Sequence, residues 1–149
     1  MSMTVPYKLP HYKPEEYQIM AEFLRRRILE GKWSFSVKLK PPERPLRPFE
    51  TPFEYKIWQT LHSKRIDAIC ETPSYIWIIE VKDLVRSSAI GQLLVYRELY
   101  QEQYHPVKPI RLAIVAGEDD PQVRKVAMKL GIKVWVMDIP TRRKRILGI

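Results

Sequence analysis

Apolar and polar residues alternate over residues 33–39, where Trp33, Phe35, Val37 and Leu39 are separated by Ser34, Ser36 and Lys38. A period of two predicts a half-buried strand. Upstream, Pro14 suits a first helical turn, and Glu15 and Glu16 sit well at the positive end of a helix dipole. Tyr17, Met20, Phe23 or Leu24, and Ile28 then recur at helical spacing, predicting a helix from Pro14 to about Glu30 that stops at Gly31. Residues 40–52 contain five prolines and read as a stiff loop. Residues 53–63 read as a strand. Residues 65–70 and 75–82 are rich in β-formers and separated by Glu71-Thr72-Pro73-Ser74, the pattern of a β-hairpin. Ser87 or Ser88 is placed to cap a helix running to about Tyr104. A strand (Arg111–Ala116), a helix (Pro121–Leu130, stopped by Gly131) and a strand (Lys133–Met137) complete the pattern.

The expected fold is therefore α/β, a mixed β-sheet flanked by helices in the order α-β-β-β-β-α-β-α-β. Residues 1–13 read as an extended arm broken by Pro6 and Pro10, residues 14–139 as a single domain, and residues 140–149 as a basic tail. No internal repeat is seen. The 149 residues suit one domain with a sizeable core. No apolar run approaches the roughly 18–20 residues of a membrane-spanning helix. The first residues lack the apolar stretch of a secretory signal. Cys70 is the sole cysteine, which excludes an intramolecular disulfide and cysteine-rich metal sites. The expected setting is cytoplasmic, in the host cell if the gene is viral. The absence of asparagine and the 13 prolines against 5 glycines read as a thermophilic source.

The net charge of +9 is unevenly spread. Residues 1–50 carry +4, residues 51–105 carry −1 and residues 106–149 carry +6. Basic ends around a neutral middle point to a polyanionic partner, nucleic acid before a membrane surface. Arg25, Arg26 and the run Arg142, Arg143, Lys144, Arg145 are candidate contacts, as are Lys64, Arg65 and Arg86 flanking the hairpin. Such runs also occur as plain solvated faces.

The second hairpin strand carries the chemistry. Ile76, Trp77, Ile78 and Ile79 send apolar side chains to both faces, so the strand is buried on both sides. It then reads Glu80-Val81-Lys82. Charges seldom end a central strand without a partner or a task. Glu80 and Lys82 share a face. If paired indices sum to 145, Asp67 lies diagonal to Glu80; if they sum to 147, it lies directly opposite. Two ionised carboxylates that close repel, and a divalent cation relieves the repulsion. All-oxygen ligation suits Mg²⁺ or Mn²⁺. A site of this kind suits phosphodiester hydrolysis, with Lys82 offsetting developing negative charge.

Asp67, twelve intervening residues and Glu80-x-Lys82 together resemble the PD-(D/E)XK nuclease superfamily. Gln92-Leu93-Leu94-Val95-Tyr96 resembles the Q-x-x-x-Y motif of its RecB-like exonuclease branch, which is related to Holliday-junction resolvases. The resemblance spans residues 14–116 and implies a restriction-endonuclease-like core. It implies Asp67, Glu80 and the Val81 carbonyl as metal ligands, Lys82 as the catalytic lysine, and Gln92 and Tyr96 as residues orienting the lysine and the DNA backbone. The sequence departs from the pattern at Lys64, where a glycine is usual, and in the first helix, which lacks the histidine many members use as a ligand. Glu16, or else Glu22, is the substitute, and Glu16 shares a stripe with Met20 and Phe23. Iron–sulfur relatives are excluded by the cysteine count.

The expected function is a Mg²⁺- or Mn²⁺-dependent deoxyribonuclease of repair, recombination, or mobile-element or viral DNA processing. Its expected partner is DNA rather than a membrane, and a homodimer is expected as an option. The alternative is a nuclease-fold module that binds DNA or protein without cleaving. Two blander readings compete. Glu80 and Lys82 form a solvated pair with Asp67 turned to Arg65 or Lys64, or an unrelated Rossmann-like protein uses the Ala116–Asp120 turn for a small ligand.

Overall fold

A computed structural model describes residues 11–139 and Gly148. The elements run α1 (Pro14–Arg25), β1 (Lys32–Lys38), α2 (Pro52–Leu61), β2 (Arg65–Glu71), β3 (Ile76–Leu84), α3 (Ser87–Tyr104), β4 (Ile110–Glu118), α4 (Pro121–Lys129) and β5 (Ile132–Val136). The five strands form one mixed sheet in the order β1-β2-β3-β4-β5. The first two pairings are antiparallel and the last two parallel. The α/β architecture is as expected. The predicted arm at residues 1–10 and the tail at residues 140–147 and 149 lie outside the described residues.

One element corrects the expected order. Residues 53–63 are not a strand, because α2 occupies most of them and β1 pairs directly with β2. The cause is local. The Thr51 hydroxyl accepts the Glu54 amide at 3.1 Å, and the Glu54 carboxylate reaches back to Thr51, while Pro52 fills the first turn. This reciprocal cap satisfies amides that would otherwise be orphaned. The proline-rich loop before α2 is ordered by Arg44. Its guanidinium grips Glu50 through two 2.8 Å bonds and stacks 4.1 Å from the Trp58 ring centre.

Two boundaries also move. The first helix ends at Arg25 rather than near Glu30, with Arg27 in the left-handed region (φ 51°). Gly31 serves a different need, since a Cβ there would lie 2.2 Å from the Glu71 carbonyl oxygen. The third helix starts at Ser87 with Arg86 at its cap position, so neither serine caps it.

The sheet is covered on both faces. Ile19, Met20, Phe23 and Leu24 of α1 are buried with Ala68, Trp77, Ile79 and Val81. Each of the four α1 side chains contributes roughly 1.5–3 kcal/mol. The opposite face, with Ile78, Leu112 and Ile114, lies under Ala89, Ile90, Leu93 and Tyr96 of α3. Cys70 is fully buried, and burial pushes its thiol up to about 11.

Candidate active site

The central strand β3 changes partners along its length. It pairs with β2 only from Glu71↔Ile76 to Ala68↔Ile79. Beyond that point β2 stays with β1 as far as Arg65, and β3 stays with β4 as far as Leu84. The two strands part at Asp67 and Glu80. Paired indices sum to 147, so Asp67 stands opposite Glu80 on the same face.

The parted strands leave backbone groups to be satisfied. Val81 N–H, which would have bonded β2, donates instead to Asp67 Oδ2 at 2.8 Å. A strand residue's N–H and C=O leave by the same edge, so the Val81 carbonyl also emerges on the Asp67 side. On the other flank, Ser36 has φ 51° and drops out of the β1–β2 ladder opposite Asp67. The freed Asp67 carbonyl accepts a 2.5 Å bond from the Tyr12 hydroxyl.

Glu80 is buried, with its side chain 5% exposed, and its Oε1 lies 3.5 Å from Lys82 Nζ. Its Oε2 is buried and has no hydrogen-bond partner. Burial, the facing Asp67 charge and a hydrogen bond between the two carboxyls raise Glu80 above the usual carboxylate range, against the opposing pull of Lys82. Asp67 is also raised, chiefly by burial and secondarily by the Glu16 charge. The Val81 amide, the bond with Glu80 and the Lys82 charge oppose that rise. Tyr96 and Tyr12 are raised by burial first and by these same carboxylates next.

The solvated-pair reading is excluded by this burial. Arg65 reaches the Ser36 carbonyl and Lys64 the His62 carbonyl. The Rossmann-like reading is excluded too, because β3 is the central strand and Asp67 touches the backbone between Glu80 and Lys82.

The other sequence candidates divide. Gln92 and Tyr96 lie one turn apart on α3, and the Gln92 Oε1 is buried without a hydrogen-bond partner. They line a cavity of about 490 Å³ together with Ser63, Lys64, Arg65 and Ser88. Two basic candidates thus share one groove with the glutamine and tyrosine. Glu16 stands near enough to raise Asp67, yet its Oε1 accepts the Lys13 amide at 3.3 Å as a helix cap. Arg25 and Arg26 are both paired with Glu22, whose carboxyl they hold down at about 2. Arg86 is paired with Asp83 at 3.1 Å. Arg142, Arg143, Lys144 and Arg145 lie outside the described residues. Of the tyrosines at four-residue spacing, Tyr96 is core, whereas Tyr104 is exposed and stacks near Tyr100.

Tyr12, which the sequence places only in an extended arm, joins the candidate site through the Asp67 carbonyl. The available signal was its position just before the α1 cap, where an apolar residue staples the chain to the first turns.

Among the described residues no three His, Cys, Asp or Glu side chains gather as a metal cluster. The chain's donors are instead two carboxylates and a peptide carbonyl. That set fits a hard divalent cation, which completes its shell with water. The unpartnered Glu80 Oε2 is the atom such an ion would satisfy.

No family model matches the chain, and no curated protein matches it. Among solved structures it is similar to a repair endonuclease from Pyrococcus abyssi, with 19% sequence identity and a TM-score of 0.48. The match covers 89% of this chain and 50% of that one. No helix of the described residues is long and apolar enough to cross a membrane.

Proposed function

We propose that the chain is a Mg²⁺- or Mn²⁺-dependent nuclease that hydrolyses phosphodiester bonds in DNA. One observation carries the reading: where β2 and β3 part, the carboxylates of Asp67 and Glu80 converge beside Lys82, and a buried Glu80 oxygen is left without a partner. An unsatisfied buried carboxylate is costly and calls for a ligand.

Asp67, Glu80 and the Val81 carbonyl would hold the cation. When bound, it would supply Lewis-acid polarisation of a phosphate oxygen and a lowered pKa for water. The chain's own residues do the rest. Asp67 is fixed in place by the Val81 amide and, through its carbonyl, by Tyr12. Lys82 sets its ammonium beside Glu80, where it offsets negative charge developing on the phosphate. Tyr96, close enough to Glu80 and Asp67 for their charges to raise it, lines the groove beside Gln92. Lys64 and Arg65 give that groove the positive charge to hold a nucleic-acid backbone.

The test is cleavage of labelled linear, nicked and four-way DNA with Mn²⁺, against EDTA and the Lys82→Ala variant. Cleavage that needs metal and falls at least 100-fold in the variant, with unchanged folding, supports the reading. Salt-sensitive DNA binding without cleavage under any condition overturns it in favour of a binding module.

A further inference from the structure

Several basic side chains are already engaged, since Arg25, Arg26, Arg86, Lys108 and Arg124 each meet a carboxylate within 3.2 Å. Arg111 and Lys133 are exposed and meet no carboxylate among the described residues. They rest on rings instead. The Arg111 guanidinium lies 5.1 Å from the ring centre of Tyr75 and 5.6 Å from that of Trp77, and the Lys133 ammonium lies 5.7 Å from that of Trp135. These rings adjoin, with 6.4 Å between Tyr75 and Trp77 and 5.3 Å between Trp77 and Trp135. Strand register brings the group together. Trp77 pairs with Arg111, and Lys133 with Ala113, two residues further along β4, so all three side chains leave by one face. That is the face under α1, whereas Glu80 and Lys82 point to the other. Arg111 also lies five residues before Ala116, the partner of Lys82, about 16 Å along the sheet. The group is therefore separate from the metal centre. Arg111 and Lys133 further line a cavity of about 390 Å³ with Arg124, Met128, Gly131 and Val134, and none of its lining residues is acidic.

We propose that this surface holds a single-stranded stretch of nucleic acid, with phosphates on Arg111 and Lys133 and bases against the row of rings. The inference rests on the reading of the chain as one that acts on DNA. Two observations choose the occupant. The first is charge: two cations with no carboxylate partner, beside a cavity without acids, complement a polyanion. A guanidinium held over a ring keeps its N–H donors for a phosphate, and one already so placed loses little freedom on binding. The second is the rings themselves. Tyr75 and Trp135 are only half-buried, at the two ends of the row, so each offers aromatic surface beside a cation. Aromatic surface interleaved with positive charge is how an unpaired strand is held, because its bases are free to stack. A duplex keeps its base faces inside its own stack and has no use for the rings.

The test is fluorescence-anisotropy binding of a labelled oligothymidylate of about 20 nucleotides, enough to cover one such surface. It is run on the full chain in EDTA, between about 50 and 200 mM salt. The double variant Arg111→Gln with Lys133→Gln, its circular-dichroism spectrum unchanged, should make the fall of log affinity with log salt shallower by about 1.4, from two phosphate contacts at about 0.7 each. Its binding of a blunt duplex should be nearly that of the wild type. Tyr75→Leu removes a ring and no charge, so it should leave the salt dependence alone and weaken single-strand binding at least about fivefold. A wild-type chain that does not bind the oligothymidylate overturns the proposal. So does a double variant that keeps the wild-type salt dependence, or one that loses duplex and single strand equally, or a Tyr75→Leu chain that binds as the wild type does. Binding in EDTA is read without cleavage. A chain that cuts with Mn²⁺ yet keeps its salt dependence in the double variant therefore defeats this inference and leaves the nuclease reading standing.

Discussion

The carboxylate of Asp67 accepts a 2.8 Å hydrogen bond from the amide of Val81, the residue between Glu80 and Lys82. One acidic group therefore does two things: it substitutes for a missing strand partner and it faces Glu80. Asn at this position keeps an acceptor for the amide and removes the charge, whereas Ala removes both. We expect Asp67→Asn to abolish cleavage with little change in melting temperature. Asp67→Ala should lose cleavage and also about 1–3 kcal/mol of stability, because a buried amide is orphaned. Urea unfolding of the two variants beside the cleavage assay checks this split.

Stability should depend on pH through the facing carboxyls. Both are raised above their ordinary values near 4, so the native chain keeps protons that the unfolded chain releases. Stability is then highest, as far as this pair is concerned, below about 4, and falls as pH rises toward the native values. Glu80→Gln removes much of the cost. Urea unfolding at pH 5 and pH 8 should show the wild type losing stability relative to this variant by at least about 1 kcal/mol at the higher pH.

A divalent cation should reverse that loss. Mn²⁺ at about a hundredfold excess over its dissociation constant stabilises a native site by roughly 2.7 kcal/mol. Thermal melts should rise with Mn²⁺ for the wild type and remain flat for Glu80→Gln. The rise should shrink as pH falls, since the cation must displace protons from the carboxyls. A rise that persists in Glu80→Gln would place the bound ion elsewhere.

Tyr12 supports Asp67 from the backbone side, its hydroxyl donating to the Asp67 carbonyl. Tyr12→Phe keeps the buried ring and deletes the donor. We expect a loss of about 1 kcal/mol in unfolding free energy and a fall in cleavage of no more than about tenfold, the effect of loosened positioning. A loss as deep as that of Lys82→Ala would give the hydroxyl a direct chemical role.

Much of the centre is legible in the chain because a hairpin converts sequence distance into spatial pairing. Asp67, the turn at residues 72–75 and Glu80 leave few registers, and the odd sum of 147 is one of those that put both carboxylates on one face. What misleads is α2. Phe53, Tyr55 and Ile57 alternate with Glu54 and Lys56 as strand residues do, yet Thr51, Pro52 and Glu54 close a helix cap that settles the local geometry. The first helix is overrun because nothing in Arg25-Arg26-Arg27 marks the left-handed turn at Arg27. Tyr12 escapes notice because its partner is a backbone carbonyl 55 residues away, freed by an irregularity at Ser36 that no residue pattern announces. Arg25 and Arg26 look available as a charge run, although one glutamate engages both.

The departure of β2 from β3 makes the sheet a pair of jaws, closed at Glu71 and Ile76 and open beyond Ala68 and Ile79. On the outer flank of the open end, Ser36 of β1 leaves the ladder opposite Asp67 while Val37 rejoins it at Ile66. A strand that bears none of the acidic groups thus borders the opening, and substitutions at Ser36 are expected to shift Asp67 relative to Glu80.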